Sequence, residues 1–327
     1  ALANGWIPCY NVGSQEAYAA FSATERFRMS SAHSLRPARG CYSETGELTK
    51  VIVCPPIHFQ ITVPTNAMQW LYYSDGLPRP DPGLMTRQHE CLVEILRREG
   101  VEVEVLSPHR ELPYQHATRD VGVVIGDRMV LSNLRHWTRQ PEAEVLRPLL
   151  EERYGLQVVR PVGFVEGGDV IVDGERLWVG IGSRTSRQGA EFLYRTFGRD
   201  HDVVPLRFDP RYTHLDTLLA VLGQGRALVY EPAFDEPSLR HIRAAYPQAI
   251  PLSAEEQKSG GANVLFLSPG KVVTIAENAS VNEQLARAGF EVVTLSYSEV
   301  IKSGGSVRCD TLPLEREPTS SASPVRP

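Results

Sequence analysis

The sequence predicts a single α/β domain closed into a five-fold propeller, with chemically active side chains meeting on its axis. Three observations predict it. From about residue 115 onward, two short apolar runs split by a Gly-containing turn recur, each pair followed by a helical stretch and a closing apolar run. The entry positions Asp120, Glu166 and His214 stand 46 and 48 residues apart, and Cys309 lies 95 further on, about two more periods. Five units of this size fill the chain from about residue 48 to residue 316. Repeats of 20–50 residues bury their faces against their neighbours, and closing them into a ring removes exposed sheet edges. A doubly wound sheet accounts for strand–helix alternation but not for a repeated hairpin.

The elements follow in order. The first unit is the most divergent, with TKVIVCPPIHF from Thr49, a helical RQHECLVEILRREG from Arg87 and VEVEVL from Val101. Hairpins then begin at Arg119 (RDVGVVI-GDR-MVLSN), Glu166 (EGGDVIV-DGER-LWVGI), His214 (HLDTLLAVL-GQGR-ALVYE) and Gly260 (GGANVLFL-SPGK-VVTIA). Helical apolar spacing returns from Ala190 and from Val281, and closing runs start at Leu156, His201, Ala249 and Phe290. Pro64 to Gly83, with Asn66, Gln69, Trp70, Tyr72 and Tyr73 among prolines and glycines, suits a loop over a site better than a core strand. Residues 1–45 lack periodicity and read as an unassigned N-terminal extension, with Met29 just ahead of regular structure. One domain covers 46–316, and the Pro/Ser-rich tail 317–327 is expected to be disordered.

Composition narrows the function. With 34 Lys+Arg against 39 Asp+Glu the formal charge is −5, which argues against binding a phosphate backbone. No apolar run reaches the 18 residues of a membrane span, and the opening ALANGWIPCY lacks the basic and apolar regions of a secretory signal. Five widely spaced cysteines (Cys9, Cys41, Cys54, Cys91, Cys309), with no CxxC, exclude a disulfide scaffold and the usual zinc site. A reducing cytoplasm is the expected compartment, and at least one thiol is free for chemistry.

Taken singly, each candidate has an ordinary reading. Asp120 after Arg119 fits a turn or cap. In Glu166-Gly167-Gly168-Asp169 the glycines allow positive φ and a close backbone approach, though a plain turn is an even alternative. His214-Leu215-Asp216 places two polar side chains on one side of a strand and by itself is weak evidence. Cys309 follows a Gly-rich turn, and most buried cysteines are inert. Jointly the odds change, because a thiol, an imidazole and several carboxylates recur at one phase of the repeat and compose a nucleophile, an acid/base and its orienting partners. The other histidines are scattered through loops and helical segments and carry little expectation of function.

These strings together resemble the guanidino-group-modifying enzymes of the pentein superfamily, which include arginine deiminases, dimethylarginine dimethylaminohydrolases and amidinotransferases. The resemblance rests on the RD entry at Asp120, EGGD, the GIGSRT string ending at Thr185, HLDT and the terminal GGSVRCDTLPL, in the right order from about residue 48 to residue 316. Cys54-PPIHF with Asn66 shortly after is similar to the hydrolase branch. The resemblance implies a five-bladed ββαβ propeller without a metal or other cofactor. It implies Cys309 as nucleophile, His214 as acid/base and Glu166 as its acidic partner. Asp120 and Asp216 would hold the guanidinium, with Asp169 as the second acid of its motif. Arg184 and one of Arg135 or Arg139 would receive a substrate carboxylate, and Asn66 would sit in a covering loop.

The implied activity is hydrolysis of the guanidinium of arginine or an N-methylated arginine through a covalent thiouronium, giving citrulline plus ammonia or an amine. The alternative is transfer of the amidino group to an amine. A non-catalytic propeller resembling the ribosome anti-association factor of this fold has no use for Cys, His and acids at these phases. A metal-dependent ureohydrolase is disfavoured by the lack of a DxHxD string. The expected partner is a small guanidino molecule, with no nucleic acid and no membrane, and a homo-oligomer is left open.

Overall fold

The computed structural model describes residues 40–317 except Asp75 and Gly155. The expectations for Met29, Cys9, His33 and the tail from residue 318 lie outside the described residues.

The apolar runs pair as hairpins because the turn between them reverses the chain within a few residues. At Gly126 and Gly174 those turns have φ of +60° and +64°, a left-handed backbone that glycine adopts without steric cost. The first module holds β1 (Leu48–Val53), α1 (Ala67–Ser74), α2 (Pro82–Arg98) and β2 (Glu102–Val105). The second holds β3 (Gly122–Ile125), β4 (Arg128–Leu131), α3 (Gln140–Pro148) and β5 (Gln157–Val159). The third holds β6 (Val170–Asp173), β7 (Arg176–Ile181), α4 (Arg187–Phe197) and β8 (Asp202–Arg207). The fourth holds β9 (Leu219–Gly223), β10 (Arg226–Val229), α5 (Glu236–Ala245) and β11 (Gln248–Pro251), with a short α6 (Ala254–Lys258) after it. The fifth holds β12 (Leu265–Ser268), β13 (Lys271–Ile275), α7 (Ala279–Arg287) and β14 (Glu291–Leu295). Finally β15 (Leu312–Arg316) returns to the first module.

The described residues thus form five three-stranded sheets. In modules two to five an antiparallel hairpin is joined by a third strand that runs parallel to the central one. A parallel neighbour requires a crossover, and the helix supplies it. In the first module β15 takes the hairpin partner's place, antiparallel to β1 with Leu312 opposite Ile52, while β2 runs parallel on the other side. Strands from the two ends of the domain therefore close the ring, and the α/β, five-fold ββαβ propeller expected from the sequence is the observed fold.

Packing follows the ring. Val123, Ile125 and Val130 of module two cluster with Val170, Leu177, Leu193 and Phe197 of module three. Ile171 and Trp178 of module three cluster with Leu219, Val229 and Ile242 of module four. Leu222 and Leu228 meet Phe266 and Leu285, Leu265 and Val273 meet Val51 and Met85, and Ile52 and Leu312 meet Val121 and Met129. No module buries its apolar face alone, which is why the repeat has to close.

The boundary at residue 46 needs correction. Cys41 bridges Gly126 and Ser43 bridges Asp173, so the segment from Gly40 to Gly46 crosses the tips of two hairpins and packs into the domain. Periodicity could not reveal it, because backbone hydrogen bonds hold it and no apolar pattern does (Glu44 N–H donates to Val172 O at 2.9 Å). Its side chain at Glu44 is buried and accepts from both terminal nitrogens of Arg308, with Arg119 3.8 Å away. Burial opposes ionisation of Glu44, but Arg308 and Arg119 outweigh it and hold the carboxyl at about 2.

Removing one member of a buried ion pair strands the other charge, so Glu44→Ala should destabilise the fold by about 3–5 kcal/mol in urea unfolding. A loss below about 1 kcal/mol would show that the segment is only draped on the domain.

Candidate active site

Short segments at the module entries carry polar side chains to the axis. Asp120 lies in a turn over Thr118–Val121, Glu166 precedes the turn Gly167–Asp169, and His214 precedes the turn Leu215–Thr217. Asn263 stands ahead of β12, and Cys309 ahead of β15. The strand geometry expected for His214-Leu215-Asp216 is therefore corrected. Thr217 donates to His214 O through both its N–H (3.2 Å) and its hydroxyl (2.7 Å), which curls the chain into a turn before β9 begins. Neither Gly167 nor Gly168 has positive φ. Their use is close approach: a Cβ on Gly168 would meet the His214 ring at 2.8 Å, and one on Gly167 would collide with the Arg119 carbonyl oxygen.

His214 Nε2 lies 2.7 Å from Glu166 Oε2, with Asp120 Oδ1 3.4 Å from the other ring nitrogen. Glu166 also accepts from Arg135 N at 2.8 Å and Arg184 Nη1 at 3.0 Å. Burial works against its charge, yet Arg184 and His214 prevail and hold the carboxyl well below the usual range. Burial likewise pushes the imidazole down, but Asp120, Glu166 and Asp169 outweigh it and raise His214 to about 9. An imidazolium at neutral pH is ready to give a proton.

Asp169 is tied up by backbone, accepting from Thr185 N at 3.0 Å and Leu215 N at 2.9 Å. Burial lifts its carboxyl to about 7 against the pull of His214 and these donors. Asp216 Oδ2 accepts from Arg308 Nε at 3.1 Å, while its Oδ1 is buried without a hydrogen bond, as is Asp120 Oδ1. Burial raises the Asp216 carboxyl despite Arg308 and His214. The Cys309 thiol is pushed well up by burial, then by the Asp216 and Asp120 carboxylates. It shares a cavity of about 30 Å³ with Asp120, His214, Arg139, Arg184 and Asn66.

The two arginine candidates part here. Arg139 is buried on this cavity and binds Asp120 and Glu142, whereas Arg135 is exposed, lies over the Phe164 ring and gives only its backbone N–H to Glu166. Arg184 bridges Glu166 and Thr65 O. Asn66 caps α1 by accepting from Gln69 N, and both Asn66 and Gln69 donate to Ser303 O at 2.8 and 2.9 Å. The expected loop thus includes a short helix fastened over the cavity. Drug-sized ligands occupy roughly 300 Å³ or more, so the site is closed as it stands.

Asp120, Glu166 and His214 bring potential ligand atoms within 4.8 Å of one another, the one such set among the described residues. Arg139 and Arg184 already bind its carboxylates, a charge balance that disfavours a divalent ion there. Three groups at the axis escaped the sequence reading. His116 lines the cavity with Nδ1 2.9 Å from Asp310 Oδ1, Arg308 joins Glu44 to Asp216, and Asn263 donates to Cys309 Sγ at 3.1 Å. Only Asn263 had a signal, standing 49 residues after His214 and 46 before Cys309.

Small α/β sheets closed into a ring of five are the architecture of the pentein superfamily, and a guanidino-modifying enzyme of that superfamily is the class in view. A family model described as N,N dimethylarginine dimethylhydrolase, eukaryotic, matches residues 83–316. The uncharacterized protein YkgA of Bacillus subtilis (strain 168) is 34% identical over 84% of this chain and 95% of its own length. The N(G),N(G)-dimethylarginine dimethylaminohydrolase of Mycobacterium tuberculosis is 30% identical over 84% of this chain and 88% of its own. Among solved structures, the product-bound N-terminal domain of ArgZ, a cyanobacterial arginine dihydrolase, superposes with a TM-score of 0.75 at 27% identity, covering 83% of this chain and 98% of that one. A singly substituted form of the same domain is covalently bound to a reaction intermediate. The chain belongs to the N,N-dimethylarginine dimethylhydrolase family, and it is a guanidino-modifying hydrolase.

The His214 ring should titrate near 9 by NMR, and Glu166→Gln should lower that value by at least one unit. Because the folded value lies above the ordinary 6.5, this pairing stabilises the fold fully below about pH 6.5 and loses its contribution as the pH rises through about 9. A ring already neutral at pH 7 would remove His214 as the acid.

Proposed function

We propose that the chain hydrolyses the guanidinium of free arginine or an N-methylated arginine through a thiouronium on Cys309. The observation that carries this is the pair of buried carboxylate oxygens without hydrogen bonds, Asp120 Oδ1 and Asp216 Oδ1, whose charges act on one thiol. A planar cation with paired N–H groups satisfies both oxygens. Its positive charge also cancels the field that holds the proton on sulfur, so substrate binding activates the nucleophile.

The sequence of bonds follows. The Cys309 proton leaves to solvent, and the thiolate attacks the guanidino carbon to form a C–S bond. His214 donates its proton to the departing nitrogen, the C–N bond breaks, and ammonia or an amine leaves a cationic thiouronium. Neutral His214 then takes a proton from the attacking water. The C–S bond breaks, thiolate returns, and the protonated ureido product loses its extra proton to solvent. Glu166 keeps the ring oriented in both halves. Opening of α1 admits substrate, and Arg184 and Arg139 are the groups available for a substrate carboxylate once their present partners yield. The covalent intermediate on the ArgZ domain supports this route. The four cysteines among the described residues are all free thiols, which suits a reducing compartment such as the cytoplasm. Among the described residues no helix is long and apolar enough to cross a membrane.

The likeness to ArgZ favours a second reading in which hydrolysis continues to ornithine. Arginine, methylarginines and agmatine, incubated with and without glycine or ornithine and read by mass spectrometry, separate the products. Citrulline with ammonia identifies a deiminase, citrulline with a methylated amine a dimethylaminohydrolase, ornithine a dihydrolase, and a new guanidino compound the transferase alternative. Cys309→Ser should lose turnover by at least about 10³-fold with unchanged thermal unfolding. Retained turnover excludes the covalent route. Exhaustive EDTA should leave the rate unchanged.

A further inference from the structure

The geometry points to Asn263 as a further catalytic residue, the amide that carries the negative charge of Cys309 sulfur. It completes the set of module entries, since Asp120, Glu166, His214, Asn263 and Cys309 stand 46, 48, 49 and 46 residues apart. Unlike the other four it does not titrate, so its contribution is a fixed dipole.

The orientation of that dipole is determined by the backbone. Asn263 Oδ1 accepts from the N–H groups of both Arg308 and Cys309 at 3.1 Å. An amide flip would set an NH2 group against two donors, so Nδ2 has to face the other way. There it donates to Cys309 Sγ at 3.1 Å and approaches Asp216 O at 3.4 Å. A neutral thiol is a weak acceptor and a thiolate a strong one, so this bond strengthens as sulfur becomes anionic. Burial of Asn263 excludes water as a substitute donor.

This inference rests on the covalent route proposed above, in which sulfur is anionic twice. The first time, it has lost its proton and has not yet attacked carbon. The second time, it leaves the tetrahedral adduct as the C–S bond breaks. In both states the surrounding Asp120 and Asp216 carboxylates oppose the charge; the Ser306 backbone N–H favours it, and Asn263 Nδ2 is the side-chain donor at 3.1 Å that does so with it. The amide makes and breaks no covalent bond and transfers no proton. Its contribution appears only when charge develops on sulfur, so it lowers the barrier without tightening ground-state binding.

The test reads the thiol directly and needs no substrate. Alkylation of Cys309 by iodoacetamide is followed against pH in the full chain, with the modified peptide assigned by mass spectrometry to separate Cys309 from the other thiols. Asn263→Asp keeps an oxygen for the two backbone donors but puts a carboxylate against sulfur. Asn263→Ala removes both. Each folded variant should show an alkylation profile moved to higher pH by at least one unit, a tenfold loss of rate at fixed pH. Where a turned-over substrate is in hand, kcat should fall at least tenfold with KM within about threefold. In the unaltered protein, the Asn263 side-chain amide ¹⁵N resonance should titrate with the midpoint of Cys309, a readout independent of whether either variant folds. A wild-type profile in a folded variant, or an amide resonance indifferent to thiol ionisation, overturns the assignment. Because alkylation and NMR do not depend on turnover, a failed product screen counts against the proposed reaction and leaves this test standing.

Discussion

Charges that separate turns deliver to a dry axis have to neutralise one another there. A buried unpaired ion costs several kcal/mol, so every acid brought inward requires a donor, and every base an acceptor. The protein meets this demand almost completely: Glu166 with His214 and Arg184, Asp120 with Arg139, Asp216 with Arg308, and Arg308 with Glu44. Some groups near the axis stay unpaired, among them Arg119 Nε and Nη2 and Ser306 Oγ. One oxygen each of Asp120 and Asp216 lies buried without a hydrogen bond, and both carboxylates act on the thiol.

Much of this was legible because the fold is repetitive. Hairpin turns and closing apolar runs recur at a period that a doubly wound sheet does not explain, and the chemically active residues fall at one phase of it. Direction within a turn was not legible. Arg135 and Arg139 are four residues apart, and only the backbone between β4 and α3 decides that one lies over Phe164 while the other enters the cavity. Arg308 stands beside Cys309 in sequence, yet it extends to Glu44 and Asp216. Asn263 was missed for a chemical reason, since an uncharged amide does not announce itself as an acid, base or nucleophile. The segment holding Glu44 was missed for a geometric one, as backbone bridges need no side-chain pattern.

The two halves of the site are built with different tolerances. Glu166, His214 and Asp169 are locked by short turns and backbone donors, with glycine where the ring lies against the chain. The covering side depends on the side chains of Asn66, Gln69 and Arg184 gripping two carbonyls, Ser303 O and Thr65 O. Side-chain clasps of this kind open at lower cost than a turn unwinds. A rigid floor under a releasable cover suits a reaction that must exclude bulk water and still exchange its product.

The pairing of β15 with β1 ties the ring's closure to the last part of the domain to be synthesised. Cys309 lies three residues before that strand. During translation the chain therefore stays both open and without its Cys309 sulfur until its other four modules exist, so an unfinished copy presents no such thiol at its axis in the crowded surroundings of the ribosome. Assembly and arming of the molecule are one event.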